Sequence, residues 1–153
     1  MIALSSLKSE DIEIIKTWPP YPPEFLEIDY AIRDGGWLDS IKDSDYLSIN
    51  INGILIGFIG MFGIKENSGE ILIAMHADYI GKGYGSSSMK SAIDYYFKKY
   101  NFSQITLDVR KTNPIAKHVY EKLGFIDCGE STRNIQGKSV EFWDTYIENK
   151  SLC

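Results

Sequence analysis

The chain has 153 residues, with 16 Lys and Arg against 21 Asp and Glu, so its formal net charge is -5. A chain of this length is expected to fold as a single domain over residues 1–153, with a core of substantial size. The acidic balance disfavours nucleic acid as a partner and suits a cationic one. No apolar run reaches membrane-spanning length, and Met1–Lys8 is too short for a signal peptide, so no membrane partner is expected.

The two cysteines, Cys128 and Cys153, stand in a chain without secretory features. We therefore interpret them as free thiols in a reducing compartment, which predicts a cytoplasmic location. Neither cysteine has the C-x-x-C spacing of a redox or zinc site, and the sequence contains no His/Cys cluster. The sequence therefore predicts no bound metal.

The first half of the chain is predicted to contain a strand, two short helices and a hairpin. Ser9 can cap the first helix, which Pro19-Pro20 ends. Asn52-Gly53 between two apolar runs is a strong signal for a two-residue hairpin turn. The predicted elements are strand Ile2–Leu4, a helix from Ser9, helix Glu24–Arg33, and strands Tyr46–Ile51 and Ile54–Ile64.

The second half alternates strands with helices and ends in a strand pair. Its predicted elements are strand Glu70–His76, a helix from Ser87 to Tyr100, strand Ile105–Val109, helix Asn113–Leu123, and strands Phe125–Cys128 and Val140–Tyr146 across the loop Glu130–Lys138. This order predicts an α/β (α+β) fold, in which a mixed, mostly antiparallel sheet carries helices on both faces.

The most informative segment is the glycine loop, Tyr79–Ser86, which follows a strand and precedes a helix. Gly81, Gly83 and Gly85 stand at every second position. A strand that turns through glycines into a helix leaves backbone N–H groups pointing at one spot, where the helix N-terminus favours negative charge. The glycine loop therefore suits a phosphate or pyrophosphate, although such turns also occur without a ligand.

The glycine loop differs from two other phosphate-binding motifs. It lacks the spacing of a Walker A loop. Gly81-x-Gly83-x-x-Ser86 is close to a dinucleotide fingerprint, and Asp108 stands where a ribose-binding acid would. That fingerprint normally opens a fold with several further βαβ units, whereas one strand–helix unit and a strand pair follow here. A dinucleotide-binding domain remains an alternative at this point.

A second motif lies in Asn113–Phe125. Asn113 is a good N-cap, Pro114 suits the first helical position, and Gly124 suits the position after the last turn. Three apolar residues recur at i, i+4 and i+8 and are predicted to face the core: Ile115, Val119 and Leu123. Tyr120 lies on the next face, where it can be a functional residue or an amphipathic residue at the edge of the core.

Together the two motifs resemble those of the GNAT superfamily of acyl-CoA-dependent N-acetyltransferases. The first family motif is Gln or Arg, two residues, Gly, one residue, then Gly or Ala, and it aligns with Ile80–Gly85. The second is an Asn that opens a helix carrying a Tyr seven positions on and ending in Leu-Gly-Phe. It aligns with Asn113, Tyr120 and Leu123-Gly124-Phe125. One departure is Ile80, which occupies the Gln/Arg position.

The resemblance, which covers roughly Asp45 to Tyr146, implies an enzyme that moves the acetyl group of acetyl-CoA to a primary amine by direct attack. An alkylamine has a pKa near about 10.4 and is mostly protonated at neutral pH, so a base must remove a proton. The departing thiolate benefits from an acid, and the matching Tyr120 is the predicted acid. Glu70 is the first candidate for the base, and Asp108, which is one methylene shorter, is the second.

The resemblance also implies how acetyl-CoA binds. In the family, the cofactor lies in a splay between the strand before the glycine loop and the strand after the loop's helix. Backbone groups of Ile73–Met75 would pair with the pantetheine arm, and Asn113 would bond the same region unless its role is purely capping. The implied cofactor-binding residues are Ile73, Ala74, Met75, Gly81, Lys82, Gly83, Tyr84, Gly85, Ser86 and Asn113.

The acceptor site is implied to form from the N-terminal helices and the terminal strand pair. The segment Trp18–Trp37 is rich in aromatic residues, prolines and acids, so it could line a pocket for an amine or simply cover the sheet. The acceptor is expected to be a small-molecule amine or a peptide N-terminus, and exposed strand edges could pair two copies as a homodimer. An acyl-CoA-binding regulatory module with weak or no catalysis is the alternative function.

Overall fold

The computed structural model describes residues 1–41 and 44–150 of the chain. The Cys128 thiol is free, as predicted, and it is exposed, whereas Cys153 lies outside the described residues. We call Pro23–Ile32, a 3-10 helix, the 3-10 segment. The other elements are β1 (Ile2–Ser6), α1 (Ser9–Lys16), a 3-10 turn (Trp37–Ser40), β2 (Asp45–Ile51), β3 (Ile54–Phe62), β4 (Ser68–Met75), a 3-10 turn (Ala77–Tyr79), α2 (Tyr84–Tyr100), β5 (Gln104–Arg110), α3 (Pro114–Leu123), β6 (Ile126–Ile135) and β7 (Lys138–Glu148).

The seven strands of the described residues form one sheet in the order β1-β2-β3-β4-β5-β7-β6. β4 and β5 run parallel, and every other neighbouring pair is antiparallel. α2 and α3 pack on one face, whereas α1 and the 3-10 segment pack on the other. The predicted fold class, a mixed and mostly antiparallel sheet with helices on both faces, is therefore confirmed.

Two apolar clusters lie on opposite faces of the sheet, because successive side chains of a strand point to opposite sides. On the first face, Met89 of α2 clusters with Ile71 of β4. On the second face, Ile15 of α1 and Ile32 of the 3-10 segment cluster with Leu72 of β4. We call these the α2 face and the α1 face.

The parallel strands β4 and β5 separate soon after they begin. Three residue pairs join them, Ser68–Glu70 of β4 with Gln104–Thr106 of β5. Beyond these pairs, Ile71–Met75 and Leu107–Arg110 have no partner strand on the side where the two strands diverge, within the described sheet. We call the opening between them the wedge. Backbone groups that face such an opening are available to an extended ligand.

Arg33 holds the 3-10 segment against α1. Its Nε and Nη2 donate to the Asp29 carboxylate, each at 2.9 Å, and its Nη1 donates to the carbonyls of Trp18 at 2.6 Å and Lys16 at 3.2 Å. The hydrogen bond from Arg33 is the main reason that the pKa of Asp29 lies below its usual range. This network fixes the N-terminal helices relative to one another on the α1 face.

The terminal strand pair differs from its prediction. The predicted loop Glu130–Lys138 is wrong, because β6 continues to Ile135 and β7 already begins at Lys138. Gln136 and Gly137 form the turn with φ of 51° and 80°, which matches the twist of two-residue hairpins. β6 is an exposed edge strand with mostly polar side chains, so it lacks the apolar alternation that predicts strands.

The predicted turn at Asn52-Gly53 is confirmed, with φ of 50° and 81°. Two details of the N-terminal helices differ from the prediction. Lys8, not Ser9, is the N-cap of α1, and its backbone N–H donates to the Asp11 carboxylate at 2.9 Å. The predicted helix Glu24–Arg33 is a 3-10 helix, a difference that the sequence signals for helix ends do not resolve.

Candidate active site

A cavity of about 700 Å³ passes through the wedge. On the α2 face it is lined by Ile73 of β4, by Asn113 and by Tyr120 of α3. On the α1 face it is lined by Glu70 of β4 and Asp108 of β5. The cavity therefore connects the two faces of the sheet and brings together both predicted catalytic residues, both base candidates and two of the predicted cofactor residues.

The glycine loop lies beside the far end of β4 and does not line this cavity. A Cβ added at Gly85 would stand 3.7 Å from Ile73 Cδ1 and 3.8 Å from Met75 Cγ. The loop therefore meets β4 next to the wedge. The predicted cofactor residues form two adjoining groups, one at the wedge and one at the N-terminus of α2.

The glycine loop leaves the N-terminus of α2 open. Gly81 and Gly83 have φ of 80° and 84°, a conformation that glycine adopts without strain. Gly83 is the N-cap, no side chain caps the helix, and its first turn contains no acid. The first helical hydrogen bond runs from the Ser87 N–H to the Gly83 carbonyl at 3.2 Å. The amides of residues 84–86 therefore have no acceptor within the described chain, and this terminus can hold an anion.

Two side chains of the glycine loop have different surroundings. Ile80 packs against the apolar cluster of the α1 face, so the residue that stands in the Gln/Arg position of the GNAT motif supports the core. Lys82 is exposed, and its Nζ lies 5.8 Å from the centre of the Tyr79 ring. Lys82 therefore adds a positive charge near the open helix N-terminus.

Successive residues of β4 direct their backbone N–H and C=O groups alternately toward β3 and toward the wedge. The N–H of His76, which follows β4, donates to the carbonyl of Ile56 in β3 at 2.7 Å. In an antiparallel pair, every second residue then directs its backbone groups to the partner, so Ala74 faces β3 whereas Ile73 and Met75 face the wedge. The Met75 carbonyl accepts a hydrogen bond from another element, as described next.

Tyr21 connects the N-terminal region to this edge of β4. Its hydroxyl donates to the Met75 carbonyl at 2.7 Å, and its backbone N–H donates to the Asp29 carboxylate at 3.2 Å. Burial raises the pKa of Tyr21, so the hydroxyl keeps its proton and remains a donor. A carbonyl oxygen has two lone pairs, and Met75 can therefore still accept a second hydrogen bond from a ligand in the wedge.

Helix α3 turns a different face to the core than the sequence predicts. The predicted core position of Ile115 is wrong, because 78% of this residue is exposed. Leu123 packs against the cluster of the α2 face as predicted, and Ala116 and Tyr120 pack there in addition. These positions also follow helical spacing, at i, i+4 and i+7, so periodicity alone could not separate two adjacent stripes.

The hydroxyl of Tyr120 has no hydrogen-bond partner in the part of the chain that the structure describes, and the side chain lines the cavity. Its ring lies edge-on to Phe125, with 6.1 Å between the ring centres. Burial raises the pKa of Tyr120 to about 12. The phenol is therefore neutral across the physiological range and can donate a proton or a hydrogen bond into the cavity.

Asn113 caps α3 as predicted. Its Oδ1 accepts from the Ala116 N–H at 3.2 Å, and its own N–H donates to the Arg110 carbonyl at 2.9 Å. Pro114 occupies the first turn, and Gly124 ends the helix with φ of 113°. Capping uses Oδ1, which leaves the amide nitrogen of Asn113 available to a ligand in the cavity.

The two base candidates share the α1 face. Glu70 stands two residues before Leu72 of the α1-face cluster, so the two side chains point to the same face. Asp108 stands between two residues of the α2-face cluster, so its side chain points to the opposite face, which is the α1 face. Glu70 pairs with Thr106 across the sheet, two residues before Asp108. Both carboxylates are partly buried, with side chains 27% and 15% exposed.

Burial raises the pKa of Glu70 above its usual range. The positive charge of Arg133 opposes this effect, whereas the negative charge of Asp144 adds to it. A carboxylate with a raised pKa is a stronger base than an exposed one. Burial thus makes Glu70 better suited to accept a proton at neutral pH.

Arg133 and Asp144 belong to this site although the sequence did not indicate them. Arg133 of β6 forms an ion pair with Asp108, and its Nη2 lies 3.9 Å from Glu70 Oε2. Asp144 of β7 pairs with Asp108 in the sheet register and accepts a hydrogen bond from Ser131 at 2.7 Å. The signal that could have found them is strand register, because all lie on one face of neighbouring strands, but the part of β6 that carries Arg133 was predicted to belong to the loop Glu130–Lys138.

The 3-10 segment covers the cavity on the α1 face. Glu27 of this segment accepts a hydrogen bond from Thr112 Oγ1 at 2.6 Å and lies 3.9 Å from Arg110 Nη1. Both partners belong to the end of β5 and the loop that leads to Asn113. The acidic and aromatic segment Trp18–Trp37, for which the sequence left open whether it lines a pocket or covers the sheet, borders the cavity through residues that include Phe25, Tyr30 and Trp37.

Neither histidine lies in the cavity lining. His76 Nδ1 accepts from the Asp78 N–H at 3.0 Å, and its ring packs edge-on to Trp18 at 5.0 Å; His118 is exposed on α3. Among residues 1–41 and 44–150, no three His, Cys, Asp or Glu side chains are placed to hold a metal ion. No helix in these ranges has the length and apolar character needed to cross a membrane.

Two sequence relatives carry the name of an N-acetyltransferase. The chain is 35% identical over 97 residues to the spermidine N(1)-acetyltransferase of Vibrio cholerae serotype O1, which is 61% of the chain and 56% of that relative. It is 27% identical over 125 residues to an uncharacterised N-acetyltransferase of Methanocaldococcus jannaschii, which is 81% of the chain and 72% of that relative. The chain thus matches little more than half of the Vibrio enzyme.

The fold also resembles a solved structure. The crystal structure of spermidine N-acetyltransferase from Vibrio cholerae in complex with CoA and spermine superposes with a TM-score of 0.76. The superposition covers 97% of the chain and 96% of that structure at 24% identity. At this level of identity the likeness establishes a shared fold.

The family profile described as "Acetyltransferase (GNAT) family" matches residues 12–125, well over half of the chain. The match includes β4, the wedge, the glycine loop and α3 with its Asn113 cap. The sequence motifs, the sheet order and this profile agree. The chain therefore belongs to the GNAT family of acetyltransferases.

Proposed function

We propose that the chain transfers the acetyl group of acetyl-CoA to a primary amine by direct attack. The observation that carries this proposal is the cavity through the wedge, with the neutral Tyr120 phenol on the α2 face and Glu70 and Asp108 on the α1 face. This arrangement separates a proton donor from two proton acceptors across one opening. It suits a reaction in which the thioester and the amine meet from opposite faces of the sheet.

On the donor side, the residues present fit acetyl-CoA. The amides of residues 84–86 at the open N-terminus of α2, with Lys82 beside them, would hold the pyrophosphate. The wedge-facing backbone groups of Ile73 and Met75 would pair with the pantetheine arm, and the Asn113 amide nitrogen would donate to it. In this arrangement Ala74 supports the edge through its pairing with β3 and makes no backbone contact with the donor.

On the acceptor side, an ammonium group must lose a proton before its nitrogen can attack. The proton passes to Glu70, directly or through a water, or to Asp108 in its place. The amine nitrogen then forms a bond to the thioester carbonyl carbon, and as the C–S bond breaks, the electron pair leaves with sulfur and the Tyr120 hydroxyl protonates the thiolate. The nitrogen releases its second proton to solvent, and solvent returns a proton to the Tyr120 phenolate. Direct transfer needs no protein nucleophile, so the exposed thiol of Cys128 has no part in the reaction.

The cavity favours a cationic acceptor. Four carboxylates and two guanidinium groups line it, so negative charge is in excess: Glu24, Glu27, Glu70, Asp108, Arg110 and Arg133. Aromatic rings, which attract cations to their faces, border the same space. The Vibrio cholerae relative is named for spermidine, which makes a polyamine the first acceptor class to test and a peptide N-terminus the second.

The proposal is tested by incubating the purified chain with acetyl-CoA and a panel of amines: spermidine, a diamine, amino acids and a short peptide. Release of free thiol and an acetylated product in the mass spectrum are the expected results. Binding of acetyl-CoA without product for any amine would contradict catalysis. A panel in which only the peptide is acetylated would contradict the polyamine class and leave amine acetylation in place.

Several properties expected from the sequence remain predictions. A single domain, a cytoplasmic location, the absence of a metal requirement and the absence of nucleic-acid or membrane partners are among them. A homodimer also remains a prediction, and β1 and β6 are the sheet edges through which two copies could pair. Size-exclusion chromatography with light scattering measures the oligomeric state directly.

A further inference from the structure

Arg133 fills the space between the two base candidates. Its guanidinium group forms an ion pair with Asp108 of β5, and Nη2 stands 3.9 Å from Glu70 Oε2 of β4. The same guanidinium lies 4.4 Å from the centre of the Phe142 ring of β7. A side chain from the edge strand β6 therefore reaches across β7 to the two strands that border the wedge.

The surroundings of this guanidinium are those of a cation-binding site. Two carboxylates provide charge, and the face of an aromatic ring provides a cation–π contact. Asp144, two residues along β7 from Phe142, adds a third acid on the same face. An ammonium group of an acceptor would find the same partners in the same place, beside the carboxylate that is to take its proton.

Arg133 can leave this position at little cost to the fold. It belongs to β6, which pairs with β7 alone among the described strands, and most of this strand is exposed. Its side chain is 41% exposed, whereas Glu70 and Asp108 are more buried. Partly exposed ion pairs contribute little to stability, and an arginine stem has many rotamers to adopt in solvent.

We propose that Arg133 is a resident cation that occupies the acceptor-ammonium site, and that a cationic acceptor must displace it before acetyl transfer. This inference rests on the proposed acetyltransferase function and adds a specificity-determining residue to it. While Arg133 is in place, its guanidinium group offsets the negative charge of Asp108 and Glu70. When an ammonium group replaces it, the same two carboxylates bind the acceptor, and one of them receives its proton.

A contrasting role for Arg133 has the opposite consequence. If the guanidinium bound a carboxylate of the acceptor, its removal would weaken acceptor binding. If the acceptor ammonium must displace Arg133, removal of the guanidinium ends the competition for the two carboxylates and strengthens acceptor binding. The sign of the change in KM and Kd for a polyamine therefore decides between the two roles.

The test compares Arg133→Met, which keeps an apolar stem over Phe142, with Arg133→Lys and with the wild-type chain. Lys138→Met is the matched control, because it removes one positive charge from the same hairpin and Lys138 does not line the cavity. Each protein is first checked for folding by circular dichroism. KM and kcat for spermidine are then measured by thiol release, and Kd is measured by calorimetric titration of spermidine without acetyl-CoA.

We expect Arg133→Met to lower both KM and Kd for spermidine by about three- to tenfold, and Lys138→Met to change them by less than about twofold. Arg133→Lys, which keeps a cation of a different shape, is expected to lie between Arg133→Met and the wild type. An unchanged or raised Kd in a folded Arg133→Met variant would overturn the displacement role. If the wild type binds spermidine but acetylates no amine, the proposed function fails, while the change in Kd still decides the role of Arg133.

Discussion

The proposed acetyl-CoA side and the proposed acceptor side of the site are built in different ways. The donor side is made mainly of backbone: residues 84–86 offer amides at the N-terminus of α2, and alternate residues of β4 face the wedge. The acceptor side is made of side chains from four strands, with Glu70, Asp108, Phe142 and Arg133 on one face of the sheet. Backbone groups are the same for any sequence, whereas an arrangement of side chains changes with each residue.

This difference indicates that one fold can keep the same acetyl-CoA site, made of backbone amides, while the side chains of the other side change the amine that it accepts. A site made of amides needs only the right turn, and the two positive φ angles of Gly81 and Gly83 provide it. A site made of charges depends on which residues meet across strands. We therefore expect substitutions on the donor side to affect binding of acetyl-CoA, and substitutions on the acceptor side to affect the rate and the choice of amine.

The largest effect is expected for Gly83→Asp on the donor side. The substitution places a carboxylate at the proposed pyrophosphate site, and like charges in contact cost several kcal/mol, so we expect CoA affinity to fall at least about a hundredfold. Calorimetric titration with CoA measures this. Gly53→Asp is the matched control, because Gly53 also has a positive φ, of 81°, with nothing within 4 Å of an added Cβ, yet it lies in the β2–β3 turn. Equal losses in the two variants would attribute the effect to backbone strain instead.

Tyr120→Phe tests the point where the two sides meet. It keeps the ring against Phe125 and removes only the hydroxyl, so we expect kcat to fall at least about tenfold, within the range of general acid catalysis, with little change in CoA binding. Because burial raises the pKa of Tyr120 to about 12, its ionisation should cause no loss of activity below about pH 11. Full turnover in the Phe variant would contradict the acid role and mean that Tyr120 serves only to pack at the edge of the core.

On the acceptor side, Glu70→Gln is expected to lower kcat/KM by about tenfold at pH 6–7, where free amine is scarcest, and raising the pH should partly restore the rate. Asp108→Asn should have the smaller effect. The activity of the wild type should fall as pH decreases through the raised pKa of Glu70, because the base becomes protonated. A larger, pH-rescued loss in Asp108→Asn would exchange the two roles.

The same carboxyl group links stability to pH. Since burial raises the pKa of Glu70 in the folded chain, the folded state binds this proton more tightly than the unfolded chain does. The contribution of Glu70 to stability is therefore present below the unfolded value and is lost as pH rises through the folded one. Glu70→Gln should remove this part of the pH dependence, and thermal melts of both proteins between pH 4 and 8 measure it. Parallel melting curves would contradict the raised pKa.

The smallest effect is expected for Gly85→Ala. Gly85 lies inside α2, and an added Cβ would make ordinary contacts of 3.7 and 3.8 Å with Ile73 and Met75. Alanine favours helix over glycine by about 0.5–1 kcal/mol, so the free energy of unfolding should rise by about that amount. CoA affinity should change by less than about threefold, because the amide is retained. A loss as large as that of Gly83→Asp would mean that the ligand contacts this Cα closely.

Most of the fold could be predicted because its signals are local. The turn at Asn52-Gly53, the cap at Asn113 and the end of α3 at Gly124 are each determined by one or two residues. The prediction failed where packing decides. Ile115 was expected in the core but is exposed, because two neighbouring stripes of one helix satisfy the same period. The second half of β6, residues 130–135, was assigned to a loop because an exposed edge strand needs no apolar alternation.

The sequence by itself determined the glycine loop, the position of the phenol on α3 and the family to which both motifs belong. These features depend on residues close together in the chain, where backbone geometry follows directly from residue type. The tertiary structure alone decided that β4 and β5 separate after three pairs and that Arg133 reaches Glu70 and Asp108. Strand register is set by contacts between distant segments, so no local pattern could place a side chain of the last hairpin beside the first base candidate.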